Sequence, residues 1–236
     1  MESPSGRYGP LVHRSVHRAA VLWIVGAVQF VLAQVAVQLA WDAHLGNPNY
    51  SLAHNYISDL GAVGCGQVMG RFVCSPWHDV FNGSIIVLGI LLILGVLWIP
   101  TAFPTRPIRR IALGLLVVAG IGAIGVGLAP ENVALTAHLV AALLAFVGAN
   151  LALVVLGFAM FRDTRWDGYR VYTVLSGLVG LVAVGLLAAR AYDWGGLWSA
   201  FGAGGMERLT LAPALLWTIL VSFHLLQIRS YAPARV

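Results

Sequence analysis

Charge is what this sequence has least of. Of its 236 residues, 10% are Asp, Glu, Lys or Arg, against about a quarter in soluble domains. Lysine is missing altogether, so every fixed positive charge is an arginine. Hydrophobic residues make up 59% of the chain, and they gather in runs of about 20. That excludes an aqueous-style domain with a polar surface. What remains is a set of transmembrane helices, with the bilayer as solvent and each backbone group satisfied within its helix. The net charge of +5 then reads as topological, and membrane anchoring is preferred to nucleic-acid or phosphate binding. An arginine-only chain rich in Ala, Gly and Val has the composition of a GC-rich bacterial genome.

Motifs are scarce as well. No C-x-x-C occurs, which disfavours redox catalysis. The two cysteines, Cys65 and Cys74, fall in one polar segment, where a disulfide closing a small loop would staple a Gly-rich stretch. No G-x-S-x-G elbow surrounds any serine, and there is no internal repeat or low-complexity tract. Nothing in the sequence names a cofactor, a substrate, a reaction or an oligomeric state.

Six spans are readable: Ala19–Trp41, Val80–Ile99, Ile111–Ala129, Ala134–Phe161, Val171–Ala189 and Leu209–Ile228. Each is near the length a bilayer demands. The fold class is therefore all-α, a polytopic six-transmembrane-helix bundle. Residues 1–18 precede it and 229–236 follow it. Eleven arginines (7, 14, 18, 106, 109, 110, 162, 165, 170, 229 and 235) fall on one side and three, Arg71, Arg190 and Arg208, on the other. The positive-inside rule then puts both termini in the cytoplasm and a multi-pass protein in the cell membrane. Span one is too long for a signal peptide and lacks a small-residue cleavage site. The outer side carries the longest connection, Asp42 to Asp79, and a Gly-rich one, Tyr192 to Glu207. Ala119, Ala123 and Gly127, and Ser176 with Gly180, form small-residue stripes suited to close helix packing.

The acids are collected. Asp42, Asp59, Asp79, Glu131, Asp193 and Glu207 belong to the outer side, with only Glu2, Asp163 and Asp167 inside. His44, His54, His78 and His138 join the outer group. Topology does not require this, because acids weigh little in it. His78 shares a helical face with Asn82, and Asp79 neighbours Asn82. Glu131 and His138 are two turns apart, and His138 lies roughly 8 Å inside the apolar run. An ionisable residue there usually faces the bundle interior. Each acid alone reads as a helix cap or an interfacial side chain. Taken with His138 and the segment "HNYISDLG" (54–61), they read as an outward polar cup. Its members are His54, Asn55, Ser58, Asp59, His78, Asp79, Asn82, Glu131, His138, Glu207 and Arg208.

As chemistry, Ser58, Asp59 and His138 supply a nucleophile, an orienting acid and a base by type, with Arg208 to hold an anionic headgroup. Against this, a Ser-Asp pair before Leu-Gly also makes a turn, with Gly61 permitting backbone angles that other residues resist. His54, Asp59, His78, Asp79 and His138 are suitable metal ligands, but none shows H-x-x-x-H or H-E-x-x-H spacing. Gln34 and Gln38 share one face of span one and suit hydrogen bonds across helices. Acids and histidines are not spread through the membrane depth, which disfavours a pump or channel.

Four pieces, "HNYISDLG" (54–61), "SPWHDVFNGSIIVLGILLI" (75–93), "APENVALTAHLVAALLAF" (129–146) and "GGMERLTLAPALLW" (204–217), resemble the domain-of-unknown-function 998 family of prokaryotic integral membrane proteins. The resemblance spans most of the chain and implies a six-helix membrane bundle. The cysteines are not part of it. A fainter similarity of the Ile-Ser-Asp piece reaches the damage-regulated autophagy modulator and Sfk-type membrane proteins. Part of that wider group handles lipids or lipid anchors, which implies membrane lipid or glycolipid as ligand. The rival expectation is a non-catalytic accessory or scaffold subunit with a membrane-protein partner, followed by a small-molecule transporter.

Overall fold

The computed structural model describes residues 9–42, 48–99, 102–104, 107–161, 163–190 and 198–228. Six helices carry most of the chain: α1 (Gly9–Asp42), α2 (His78–Trp98), α3 (Pro107–Leu128), α4 (Leu135–Met160), α5 (Tyr169–Arg190) and α6 (Trp198–Gln227). Among the described residues, these six are long and apolar enough to cross a bilayer. The shortest, α2, has 21 residues and therefore spans about 31 Å, the thickness of the hydrocarbon core. The expected all-α six-helix bundle is the fold. Glu2, Arg7, His44, Arg106, Arg162, Asp193 and the tail 229–236 lie outside the described residues.

Two helices start well before the expected spans. α1 begins at Gly9 rather than Ala19 because nothing after Pro10 interrupts it. Proline is tolerated in a first helical turn. α6 begins at Trp198 rather than Leu209, but it is broken at Gly202, whose φ of 63° and ψ of 177° are not helical. Apolar runs mark where a helix meets lipid, not where its hydrogen bonding starts.

Each helix packs on the next, and α6 returns to α1, so the six close a ring with α4 also touching α6. Lipid and core are both apolar here, and close approach rather than polarity sets the contacts. A Cβ on Gly127 would lie 2.6 Å from the Asn82 carbonyl oxygen, so α3 and α2 need glycine there. Ser176 is buried, and Gly180 packs against Asn150. Buried aromatics form two centres. Trp23, Phe103, Trp166 and Trp217 pack at one end, and Phe30, Trp41 and Phe81 at the other. Trp23 and Trp217 each donate the indole N–H, to Leu92 O at 3.1 Å and Thr173 Oγ1 at 2.9 Å. Outward leucines such as Leu32, Leu39 and Leu97 are exposed, as lipid-facing residues should be.

The connection between α1 and α2 is folded rather than a plain loop. A 3₁₀ turn covers Ser58–Gly61, and an antiparallel hairpin follows, β1 (Cys65–Val68) and β2 (Arg71–Cys74). Met69 and Gly70 both have positive φ, the signature of a two-residue type I′ turn. Cys65 and Cys74 pair across the open end of the hairpin and are disulfide-bonded.

Candidate functional site

The site begins with the 3₁₀ turn, which is buried along its length. Asp59 is fully buried. Its Oδ2 accepts hydrogen bonds from Asn55 Nδ2 and the Tyr56 N–H, both at 3.0 Å. Arg71, the first residue of β2, reaches it through Nη2 to Oδ1 at 2.6 Å and Nε to Oδ2 at 3.3 Å. That two-point contact is the strong geometry for guanidinium and carboxylate. The Arg71 guanidinium also covers the Tyr56 ring, 4.1 Å from its centroid. Burial works against the Arg71 charge, but the hydrogen bond and charge of Asp59 outweigh it and leave its pKa above the usual value.

Two more carboxyl groups join. Ser58 Oγ lies 3.1 Å from Glu131 Oε2 and 3.2 Å from Glu207 Oε1. The Ile57 N–H donates to Glu207 Oε2, and Arg71 Nη2 is 3.4 Å from Glu131 Oε1. Burial pushes the Glu131 carboxyl up to about 9, and the neighbouring Asp59 pushes the same way. Glu131 is therefore protonated at neutral pH. A serine hydroxyl has one proton, so Ser58 can donate to only one of its two carboxyl neighbours. Glu131 is the neighbour that keeps a proton of its own to give.

Around this cluster, polar side chains tie down backbone. Ser75 Oγ donates to Leu60 O at 2.7 Å and Asn82 Nδ2 to Gly61 O at 2.9 Å. Gly61 does not have a positive φ. Its requirement is space, since a Cβ would strike the Asn82 side chain and lie 3.0 Å from Phe81. Among the described residues Arg208 makes no ion pair with the carboxyl groups. Its Nη1 reaches Leu52 O, Asn55 O and Gly204 O, each at 2.9 Å, and its Nη2 reaches Tyr50 Oη at 2.6 Å.

The structure thus brings Asn55, Ser58, Asp59, Glu131 and Glu207 into one cluster, with Asn82 and Arg208 bracing its loop. It leaves three expected members outside the cluster. His54 is exposed. His78 Nδ1 lies 3.0 Å from Ser75 O and its Nε2 3.3 Å from Asp79, whose side chain is 94% exposed. His138 is buried nearby, but its Nδ1 donates to Ala129 O at 2.8 Å. Among the described residues no hydrogen bond joins His138 to Ser58 or Asp59, so the three do not form a relay. Nor, among the described residues, do three or more His, Cys, Asp or Glu side chains group as a metal site. Sequence reasoning passed over Arg71, Tyr50 and Tyr56. The signal was available for Arg71, one of only three arginines on the side where six acids collect.

Two cavities adjoin the cluster. A chamber of about 40 Å³ lies beneath it, where Ser58, His138 and Glu207 meet Phe30, Phe81 and Phe146. A polar-ended chamber of this size has room for water. The second is a groove of about 320 Å³ between α1 and α6. Val31, Gln34, Val35 and Gln38 form its α1 wall, and Arg208, Leu211, Ala212 and Leu215 its α6 wall. Each set follows the i, i+3, i+4, i+7 pattern of a single helix face. Leu52, Ile57 and Leu60 close the end nearest the cluster. The Gln34 and Gln38 amides have no partner among the described residues.

Fold and site together define a polytopic integral membrane protein with a closed ionic cluster at one end and a lateral groove beside it. The family described as "Protein of unknown function (DUF998)" matches residues 24–224, and the chain belongs to that family. Comparison with curated proteins and with solved structures returns no match.

Proposed function

We propose that this protein binds a membrane lipid in the groove between α1 and α6, entering from within the bilayer. One observation carries the reading: Gln34 and Gln38 line an open groove whose other lining, Arg208 apart, is apolar, and they have no partner among the described residues. A polar group left unsatisfied in hydrocarbon is unfavourable by several kcal/mol. The amides therefore favour a guest that offers hydrogen-bonding atoms together with an apolar chain. Val31, Val35, Leu211 and Leu215 suit that chain.

The carboxylate cluster supports the groove from behind. Glu207 holds the Ile57 N–H, and Ser75 holds the Leu60 carbonyl, which fixes two of the three residues closing the groove. Ser58, Asp59 and Glu207 are engaged with their neighbours, so the reading is binding rather than catalysis. We take the membrane to be the plasma membrane and the carboxylate end to face outward, as the arginine distribution supports.

The test is lipid extraction from purified protein, quantified by mass spectrometry, for the wild type and a Gln34→Leu/Gln38→Leu variant. The expected result is about one tightly held lipid per chain, reduced about tenfold or more by the loss of two hydrogen-bonding amides. Equal lipid content in both proteins would mean a disordered lipid annulus only, and would overturn the reading.

A further inference from the structure

Resting on that lipid-binding reading, we infer that the guest is an anionic phospholipid whose phosphate is held by Arg208, with its chains lying along the groove.

Charge is the first argument. Arg208 is the one charged residue lining the groove. Among the described residues its guanidinium has only neutral hydrogen-bond partners: the Leu52, Asn55 and Gly204 carbonyls on Nη1 and the Tyr50 hydroxyl on Nη2. Tyr50 keeps its proton there, because its O–H donates to Tyr56 O at 2.7 Å. The Glu207 carboxylate, one residue earlier, is engaged by the Ile57 N–H and Ser58 Oγ. It acts on Arg208 only from beyond ion-pair distance. A fixed cation beside apolar surface, without an ion-pair partner, favours an anion.

Donors are the second. Of the five N–H groups of an arginine, that on Nε and one of the two on Nη2 have no partner among the described residues. Nε and Nη2 form the edge by which Arg71 holds Asp59, and the same fork suits a phosphate. Gln34 and Gln38 add amide N–H groups, and no carboxylate lines the groove. A neutral head would leave the Arg208 charge unmatched. A zwitterionic head would bring an ammonium that meets no carboxylate.

Polarity along the groove is the third. Trp23 packs on Trp217, with ring centroids 5.8 Å apart, while Asp42 and Arg208 both bind Tyr50. α1 and α6 therefore run antiparallel. Gln38, Gln34 and Arg208 fall toward the Tyr50 end, and Val31, Leu211 and Leu215 follow away from it. A head then meets the polar side chains while acyl chains cover the apolar walls, which a free phosphate would leave bare. The volume of about 320 Å³ takes the head and the first part of the chains, and the rest continues into the bilayer.

The experiment is native mass spectrometry of the full chain in detergent, with dioleoyl phosphatidylglycerol, dioleoyl phosphatidylethanolamine and diolein offered at equal concentration. The wild type should retain phosphatidylglycerol about tenfold better than either of the others. Ala212→Phe, which narrows the groove and leaves every polar group in place, should remove that preference. Arg208→Gln should bring phosphatidylglycerol down to the level of diolein. The comparison of wild type with Ala212→Phe decides the matter even where loss of the Arg208 bonds unfolds the 51–55 segment. Diolein or phosphatidylethanolamine held as strongly as phosphatidylglycerol, and blocked by Ala212→Phe, would overturn this inference and leave lipid binding standing. A phosphatidylglycerol preference untouched by Ala212→Phe would put the anionic lipid outside the groove and overturn it as well. Binding of every lipid that is indifferent to all the substitutions, Gln34→Leu/Gln38→Leu included, would overturn both readings.

Discussion

At the scale of single residues, the cluster turns on one arginine. Arg71 is the only cation within hydrogen-bonding reach of Asp59 among the described residues, and Asp59 is fully buried. Removing one partner of a buried ion pair typically destabilises by about 3–5 kcal/mol, because a charge is left uncompensated. Arg71→Ala should lower the thermal transition in detergent accordingly. Arg71→Lys should recover only part of the loss, since an ammonium cannot make the two-point contact. A lysine variant as stable as wild type would show that the geometry does not matter.

Glu131 makes the opposite case. With its pKa at about 9 against the usual 4.5, it carries a proton in the folded protein over a range where the unfolded chain has lost it. Folded Glu131 then binds more protons than unfolded, so stability falls as pH rises from about 5 to 9, by up to about 1.4 kcal/mol per pH unit. Below that window both states are protonated and the effect vanishes. Glu131→Gln keeps the neutral form and removes the titration. It should cost little at pH 7, and its transition temperature should fall less than that of wild type as pH rises through that range. Parallel curves for the two proteins would contradict a protonated Glu131.

At the scale of elements, the hairpin matters because it carries Arg71 to Asp59. The Cys65–Cys74 disulfide closes a loop nine residues apart in sequence, a constraint worth about 2–3 kcal/mol in the chain-entropy account. A Cys65→Ala/Cys74→Ala variant should lose about that much. Combined with Arg71→Ala it should lose less than the sum, because a loosened hairpin no longer holds the arginine in place. Additive losses would separate the hairpin from the cluster. Gly202 is the second lever. Its backbone lies in a region open essentially to glycine alone, and Ala53 packs against it while Gly204 N–H donates to Ala53 O at 2.8 Å. Gly202→Ala should destabilise by about 1–3 kcal/mol and free the 51–55 segment that Arg208 also holds, detectable as faster proteolysis there.

The same elements show what could be read beforehand. Long apolar runs announce helices, and the acids collected near residues 59, 131 and 207 announce that these positions meet. The hairpin was not legible, because its turn is Met-Gly rather than Asn-Gly or Asp-Gly and its strands are only four residues long. His78 and Asp79 misled for a different reason. Helical spacing shows which residues share a face, but in a helix that is apolar all round it does not show which face turns inward. Gln34 and Gln38 are legible as one face of α1 suited to hydrogen bonds across helices, but the structure places both in the lining of a groove between α1 and α6.

At the scale of the whole molecule, the two ends differ in how many arginines they carry. Arg14, Arg18, Arg109, Arg110, Arg165 and Arg170 are described at the end opposite the cluster. At the cluster end, Arg71 is bound to Asp59 and Arg208 to loop carbonyls. Arg165 and Arg170 at the opposite end are paired as well, with Asp163 and Asp167, so the distribution of arginines in the sequence, eleven against three, is what carries the orientation. On this argument the cluster end crosses the membrane and the opposite end stays in the cytoplasm. A fluorescent protein fused at the C-terminus should then fluoresce, and alkaline phosphatase fused there should be inactive. An epitope tag inserted between Met69 and Gly70, where the turn is exposed, should be reached by antibody in cells whose outer barrier is opened but whose plasma membrane is intact. Labelling of that tag only after the plasma membrane is breached would invert the topology. It would also move the groove to the inner leaflet, so that lipids of the cytoplasmic leaflet would be the guests to test first.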